Sequence, residues 1–390
     1  MNQADSVELV TDDSRLASLC QQWVSRDFIA LDTEFMRVST FYPKAGLVQV
    51  GDQGKQYLID PLAIHNWDAF VSVLQAGSVT KILHSCSEDL VLFHSMFGCV
   101  PAPLFDTQRA AAFLGYGYSI SYLNLVLQLM GITLAKGETR SDWLQRPLTA
   151  DQMRYAALDV AYLSSICSEL KKRLQEKKYL PYFEADCRQL ELVAGQAENS
   201  IGWQLLYQGM GAAWRLNRRQ LGALKVLCVW REKVARNRNK PRSWIARDAD
   251  LISLAEKLPA DHASLNQLKD MNRNLYQQDA DEILALIAGS TAVTAVEAAQ
   301  VEGLPLSQHQ RQLLKRCQHQ VERVSNATGI AVELLARKKQ LVSLLHLNSA
   351  RSPGQPLVWP DNLMHAWQRP LLAPILETAL ETVTESAADE

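Results

Sequence analysis

Short apolar runs separated by polar turns open the chain, and beyond residue 180 apolar positions recur only at helical spacing. After a polar start, residues 13–24 predict an amphipathic helix, and an apolar strand follows over 28–35. Residues 47–50 and 56–60 predict two further strands joined through the turn residues Gly51 to Gly54, so the first three strands should form an antiparallel meander. A helix over 66–75, a strand over 80–84, a helix over 91–97 and a short strand over 104–107 then alternate, which adds parallel strands to the sheet. Asp106 is placed to cap a helix over 107–114, residues 122–130 predict another helix, and 136–147 predict a polar loop. Two capping boxes are expected, Ser85 with Glu88 and Thr149 with Gln152, the second opening one long helix to about residue 175. The Gly-, Asn- and Ser-rich stretch 195–202 predicts a hinge before the all-helical part.

The chemistry gathers on the first predicted strand. Asp32 and Glu34 are two residues apart, so on a strand both carboxylates project from the same face of an otherwise apolar run. Like charges held together this way are unfavourable unless a cation lies between them, and oxygen-only ligands favour Mg²⁺ or Mn²⁺ over zinc. A plain strand end with two solvated acids is the competing reading of the pair alone. Asp89 falls in the first turn of the helix after the fourth strand, where an acid also favours the positive end of the helix dipole. Tyr155 and Asp159 are one helical turn apart on one face, continued by Tyr162 and Ile166, which a half-buried stripe would also produce.

Composition narrows the class. With 390 residues, 47% hydrophobic and 21% charged, the chain suits two or three folded domains. It contains no apolar stretch of membrane-spanning length and no secretion signal at its start, so a cytoplasmic protein is expected. Seven scattered cysteines without Cys-x-x-Cys spacing argue for reduced core residues, not disulfides or zinc. The net charge of −2 conceals a strong local excess: from Arg215 to Arg247 eleven Lys or Arg face one acid, Glu232. Such a segment suits a phosphate-binding surface or a solvated helix face. The candidates for RNA contact are Arg218, Arg219, Lys225, Arg231, Lys233, Arg236, Arg238 and Lys240. Trp214, Trp230 and Trp244 offer stacking surface or core.

An internal repeat at a spacing of 90 residues runs through this region. Leu224 and Lys225 match Leu314 and Lys315, Glu232 and Val234 match Glu322 and Val324, and Ala246 and Arg247 match Ala336 and Arg337. Two copies of one small helical domain follow, the second less basic and carrying an unusual loop over 348–360. The acidic end, 384–390, is expected to be disordered.

Four acids in three separated segments, with a tyrosine one turn before the last, are more specific than any member. Leu31-Asp-Thr-Glu-Phe35, Ser87-Glu-Asp-Leu90 and Tyr155-Ala-Ala-Leu-Asp159 resemble the three motifs of the DEDD-type 3′-5′ exonucleases, tyrosine subclass. Ser141-Asp-Trp-Leu-Gln-Arg-Pro147 and the helical repeat are similar to the ribonuclease D branch, in which two HRDC (helicase and RNase D C-terminal) domains follow the nuclease. The resemblance implies an α/β fold: a mixed-sheet, ribonuclease H-like exonuclease domain over 1–195, then two all-α helical HRDC domains over 212–292 and 300–378. By that resemblance Asp32, Glu34, Asp89 and Asp159 would hold two divalent cations, Mg²⁺ or Mn²⁺, with Asp32 bridging them and Asp89 reaching the second partly through water. Tyr155 would orient the attacking water. The implied activity is stepwise release of nucleoside 5′-monophosphates from an RNA 3′ end, with transfer RNA precursors and other small structured RNAs as substrates. The expected protein works as a monomer without a membrane partner. A DNA-directed exonuclease and a nucleic-acid-binding adaptor with an inactive nuclease fold are the alternatives; four intact acids argue against the adaptor.

Overall fold

The computed structural model describes residues 7–135, 141–268, 278–349, 351, 355–360, 363 and 367–381. The expected loops over 136–147 and 348–360 lie partly outside these residues, and the acidic end wholly so. Strands β1 (Val7–Val10), β2 (Phe28–Met36), β3 (Lys44–Asp52), β4 (Lys55–Ile59), β5 (Thr80–Leu83) and β6 (Leu104–Asp106) form one mixed sheet in the order β1-β4-β3-β2-β5-β6. The meander β2-β3-β4 is antiparallel as its short turns require, and β5 and β6 add in parallel after helical crossovers. β1 was not anticipated: four residues of the polar start pair in parallel with β4, a partner nearly 50 residues away.

Helices α1 (Asp13–Trp23), α2 (Asp68–Gln75), α3 (Ser87–Phe97), α4 (Thr107–Phe113) and α5 (Tyr122–Met130) surround the sheet with α6 (Ala150–Ala161), α7 (Leu163–Glu176) and α8 (Leu180–Gly195). Asp12, Ser121 and Thr149 cap α1, α5 and α6 with side-chain oxygens, the last in the expected capping box with Gln152. Two local expectations fail. The capping box at Ser85 does not form, because Ser85 adopts a left-handed φ of 60° and α3 starts with no side-chain cap. Asp106 takes that role from a neighbouring strand, accepting from the Ser85 and Cys86 N–H groups while also capping α4 through Gln108 and Arg109. The long helix to residue 175 is two helices broken at Tyr162. Tyr122 occupies the break, its hydroxyl donating to the Leu158 carbonyl and accepting from the Tyr162 N–H.

The repeat is visible as structure. Arg218–Asn237, Arg242–Ile245 and Asp248–Lys257 recur 90 residues later as Gln308–Thr328, Val332–Leu335 and Lys338–Leu347. The two copies sit differently. The second shares one apolar core with the sheet domain, Phe113 lying 4.8 Å from Trp367 and the Ala331 N–H bonding the Ala112 carbonyl at 3.0 Å. The first has its own core, which reaches the sheet domain through Phe41. Asn239 accepts from the Phe41 and Tyr42 N–H groups at 3.0 Å each, and Arg236 lies over the Phe41 ring. Six of the seven cysteines are buried, as core residues would be, and Cys99 is half-buried. Among the described residues no helix is long and apolar enough to cross a membrane.

Candidate metal centre and active site

β2 pairs with β5 only from Phe28 to Ala30 and then runs on past it, leaving its far half bordered by β3 alone. Asp32 and Glu34 sit on that half. The β2–β3 register slips immediately after Glu34, which bends the strand away at the end of the site. α6 lies across β2, β3 and β4 and delivers Asp159 to the same place. Carboxylate oxygens of Asp32, Glu34 and Asp159 all lie within 4.8 Å of one another.

The loop ahead of α6 fixes its approach. Arg146 makes a two-pronged ion pair with Asp60 at the end of β4 and donates to the Gly46 carbonyl at 2.7 Å. Trp143 sits directly on Gly46, where an added Cβ would meet the tryptophan at 2.6 Å, so only glycine admits it. The Trp143 ring then lies 6.1 Å from that of Tyr155. These contacts give the string from Ser141 to Pro147 its purpose: it seats motif three.

Electrostatics mark the cluster as built for positive charge. Burial, followed by repulsion from Asp89, Asp159 and Glu34, drives the Asp32 carboxyl well above its ordinary range. Burial, followed by repulsion from Asp159 and Asp89, raises Glu34 to about 8, and burial above all raises Asp159 to about 7. Asp159 Oδ2 is buried without a hydrogen-bond partner. Three half-buried acids that repel each other, one with an orphaned oxygen, fit a divalent cation held by hard oxygen ligands. Tyr155 is within hydrogen-bonding reach of Asp159, and burial raises its phenol further above 10, so it stays protonated.

Asp89 stands apart from the other three. It lies in the first turn of α3 and accepts a hydrogen bond from the Thr33 hydroxyl. Thr33 points to the sheet face opposite to Asp32 and Glu34, so motif two meets motif one through the residue between its acids. Burial raises Asp89 to about 7 against the effect of that hydroxyl. Thr33 and Tyr122 were not singled out from the sequence; a hydroxyl inside an acidic strand motif was the available signal for the first. For Tyr122, which holds the α6–α7 break three residues after Asp159, no local signal existed.

The basic segment changes meaning in three dimensions. Arg231 is buried and paired with Asp248 at 2.6 Å, Lys225 pairs with Glu297 at 2.8 Å, and Arg238 holds Asp279. Arg218 and Arg219 bond the backbone at Val293 and Ile287. Arg236 and Arg242 both grip Glu232, which burial opposes but these two arginines hold below the usual carboxylate range. Six of the eight nominated cations therefore brace the first repeat. Lys233 and Lys240 are exposed, and Lys240 lies 5.6 Å from the ring of Trp244, itself 52% exposed. Trp230 is core, with its indole N–H on Glu282.

Comparison with known proteins agrees with this arrangement. A 3′-5′ exonuclease family model matches residues 7–175, and an HRDC domain model matches 220–287. The chain is 42% identical to ribonuclease D of Pseudomonas paraeruginosa over 379 residues, 97% of this chain and 99% of that protein. It is 34% identical to ribonuclease D of Escherichia coli over 376 residues, 96% of this chain and 98% of that one. The crystal structure of Escherichia coli RNase D, described as an exoribonuclease involved in structured RNA processing, superposes with a TM-score of 0.83 at 32% identity, covering 97% of this chain and 99% of that one. Its exonuclease sheet, clustered acids and appended helical domain place this chain in the ribonuclease D family of 3′-5′ exoribonucleases.

Proposed function

We propose that this protein trims the 3′ ends of transfer RNA precursors and other small structured RNAs, releasing nucleoside 5′-monophosphates one at a time with the help of two divalent cations, Mg²⁺ or Mn²⁺. The observation that carries the reading is the meeting of Asp32, Glu34 and Asp159 oxygens within 4.8 Å, all three raised first by burial and then by repulsion from neighbouring acids, Asp89 among them. Asp32, Glu34 and Asp159 would hold one cation, and Asp32 with Asp89 the other. Bound there, such ions lower the pKa of water and neutralise charge on the phosphate oxygens.

The chain's own residues do the rest. Tyr155, kept protonated by its burial, positions the attacking water beside Asp159 and does not abstract its proton. Water oxygen bonds to phosphorus and gives up a proton to solvent, the bond from phosphorus to the 3′ oxygen of the shortened strand breaks, and that oxygen takes up a proton from solvent. Thr33 holds Asp89 in place from the strand that carries Asp32 and Glu34. The domains we assign are 1–195 for the exonuclease, 212–292 for the first HRDC domain and 300–378 for the second. Lys233, Lys240 and the Trp244 face make up the RNA surface we assign to the first HRDC domain, while Arg218, Arg219, Lys225, Arg231, Arg236 and Arg238 are engaged in bracing it.

The test is a 5′-labelled structured RNA with a single-stranded 3′ tail, incubated beside its DNA counterpart with Mg²⁺ and with EDTA. A ladder shortening by single nucleotides from the RNA end, absent in EDTA, supports the proposal. Intact RNA that still binds refutes it.

A further inference from the structure

A second buried polar side chain faces the acidic cluster without a partner. Gln49 on β3 is fully buried, and neither Nε2 nor Oε1 of its amide has a hydrogen-bond partner. An amide left this way is costly, because its hydrogen bonds with water are lost and not replaced. Its place in the sheet is specific. Gln49 is the cross-strand partner of Asp32, so the two side chains leave the same face from adjacent positions. The other β3 residues of that face are Leu47, which is apolar, and Gly51, which has no side chain. Leu58 lies opposite on β4. α6 closes over the amide: at Gly51 an added Cβ would stand 2.9 Å from the Val160 carbonyl, so the helix descends to the strand just there. An isolated amide set among Leu47, Leu58 and α6, next to a metal-binding carboxylate, has one polar neighbour in register, and that is Asp32.

We propose that Gln49 is a positioning residue for the metal centre: its Nε2 donates to the Asp32 carboxylate oxygen left over when the other oxygen ligates a cation. The inference rests on the acidic site being a metal centre. A ligating carboxylate needs such an outer partner to fix its rotation, and loss of one commonly weakens metal binding 10- to 100-fold. The choice of residue fits the task. Glutamate of the same shape would add a further negative charge beside three acids, and leucine or methionine would fill the space but supply no donor.

The experiment uses the full chain and Mn²⁺ alone. Mn²⁺ affinity is measured by calorimetry for the parent and Gln49→Met, with thermal unfolding of both in EDTA. The expected result is a metal-free Gln49→Met protein at least as stable as the parent, with Mn²⁺ bound about tenfold more weakly. Equal affinity in a folded variant overturns the role of Gln49 and leaves the metal centre standing. A parent that binds no Mn²⁺ overturns the metal centre itself, and this inference with it. If Gln49→Met does not fold, the side-chain amide resonance of Gln49 in the parent decides: a shift and slowed exchange on saturation with Mg²⁺ support the proposal, and an unchanged resonance overturns it.

Discussion

Replacing Asp159 with asparagine should make the metal-free protein more stable at pH 8. Burial holds the Asp159 carboxyl near 7 against an ordinary value of 3.8. Because the folded value is raised, the group's contribution to stability is complete below pH 3.8 and is lost progressively as pH rises through 7. Three units correspond to about 4 kcal/mol at the most, and solvent access to the half-buried group reduces this to about 2 kcal/mol. Asparagine keeps the shape, carries no charge and avoids the loss. The exonuclease transition in EDTA at pH 8 should therefore rise by about 4–8 °C in Asp159→Asn. The advantage should shrink to less than half of that at pH 5, and the order should reverse in saturating Mn²⁺, which stabilises the parent and finds one ligand fewer in the variant. Asp159→Asn melting at or below the parent at pH 8 in EDTA would refute the account of the cluster as acids held together at a cost.

Other residues give separate handles. Tyr155→Phe should lower the cleavage rate by about 10- to 100-fold while Mn²⁺ affinity stays within twofold, since in the proposed mechanism the phenol positions water and holds no metal; single-turnover kinetics beside calorimetry check this. Phe41→Ala removes a ring that is 5% exposed and lies against the guanidiniums of Arg236 and Arg242, and should weaken docking of the first repeat by about 3 kcal/mol, read as faster proteolysis between residues 195 and 215. Lys233→Ala with Lys240→Ala should reduce the slope of log affinity against log salt by about 1.4 for single-stranded RNA, whereas Lys225→Ala should leave the slope alone and lower stability. An unchanged slope in the double variant would take both lysines off the RNA surface.

The motif strand, the antiparallel meander, the Thr149 cap and the 90-residue repeat were all legible because each is written in short-range periodicity. The face shared by Asp32 and Glu34 follows from strand geometry alone, and so does the turn that sets Tyr155 before Asp159. What stayed hidden is what distant segments do to one another. Asp106 replaces the cap expected of Ser85, and β1 finds β4, because partners 20 to 50 residues away satisfied backbone groups first.

The basic segment is the clearest division between the two sources. Its charge was plain in the sequence, and its use was not: Arg236 reaches Glu198, Arg238 reaches Asp279 and Lys225 reaches Glu297, partners that no local pattern announces. Likewise the Asp32 position could be named from two acids on an apolar strand, whereas the Thr33 grip on Asp89 and the unpartnered amide of Gln49 exist only once β2, β3, α3 and α6 are assembled. Sequence alone determined which acids and aromatics share one face of a strand or helix, since backbone periodicity orients neighbours. Tertiary structure decided which charges remain free and which acids share one site, since Coulombic partners and burial depend on distance in space and not on distance along the chain.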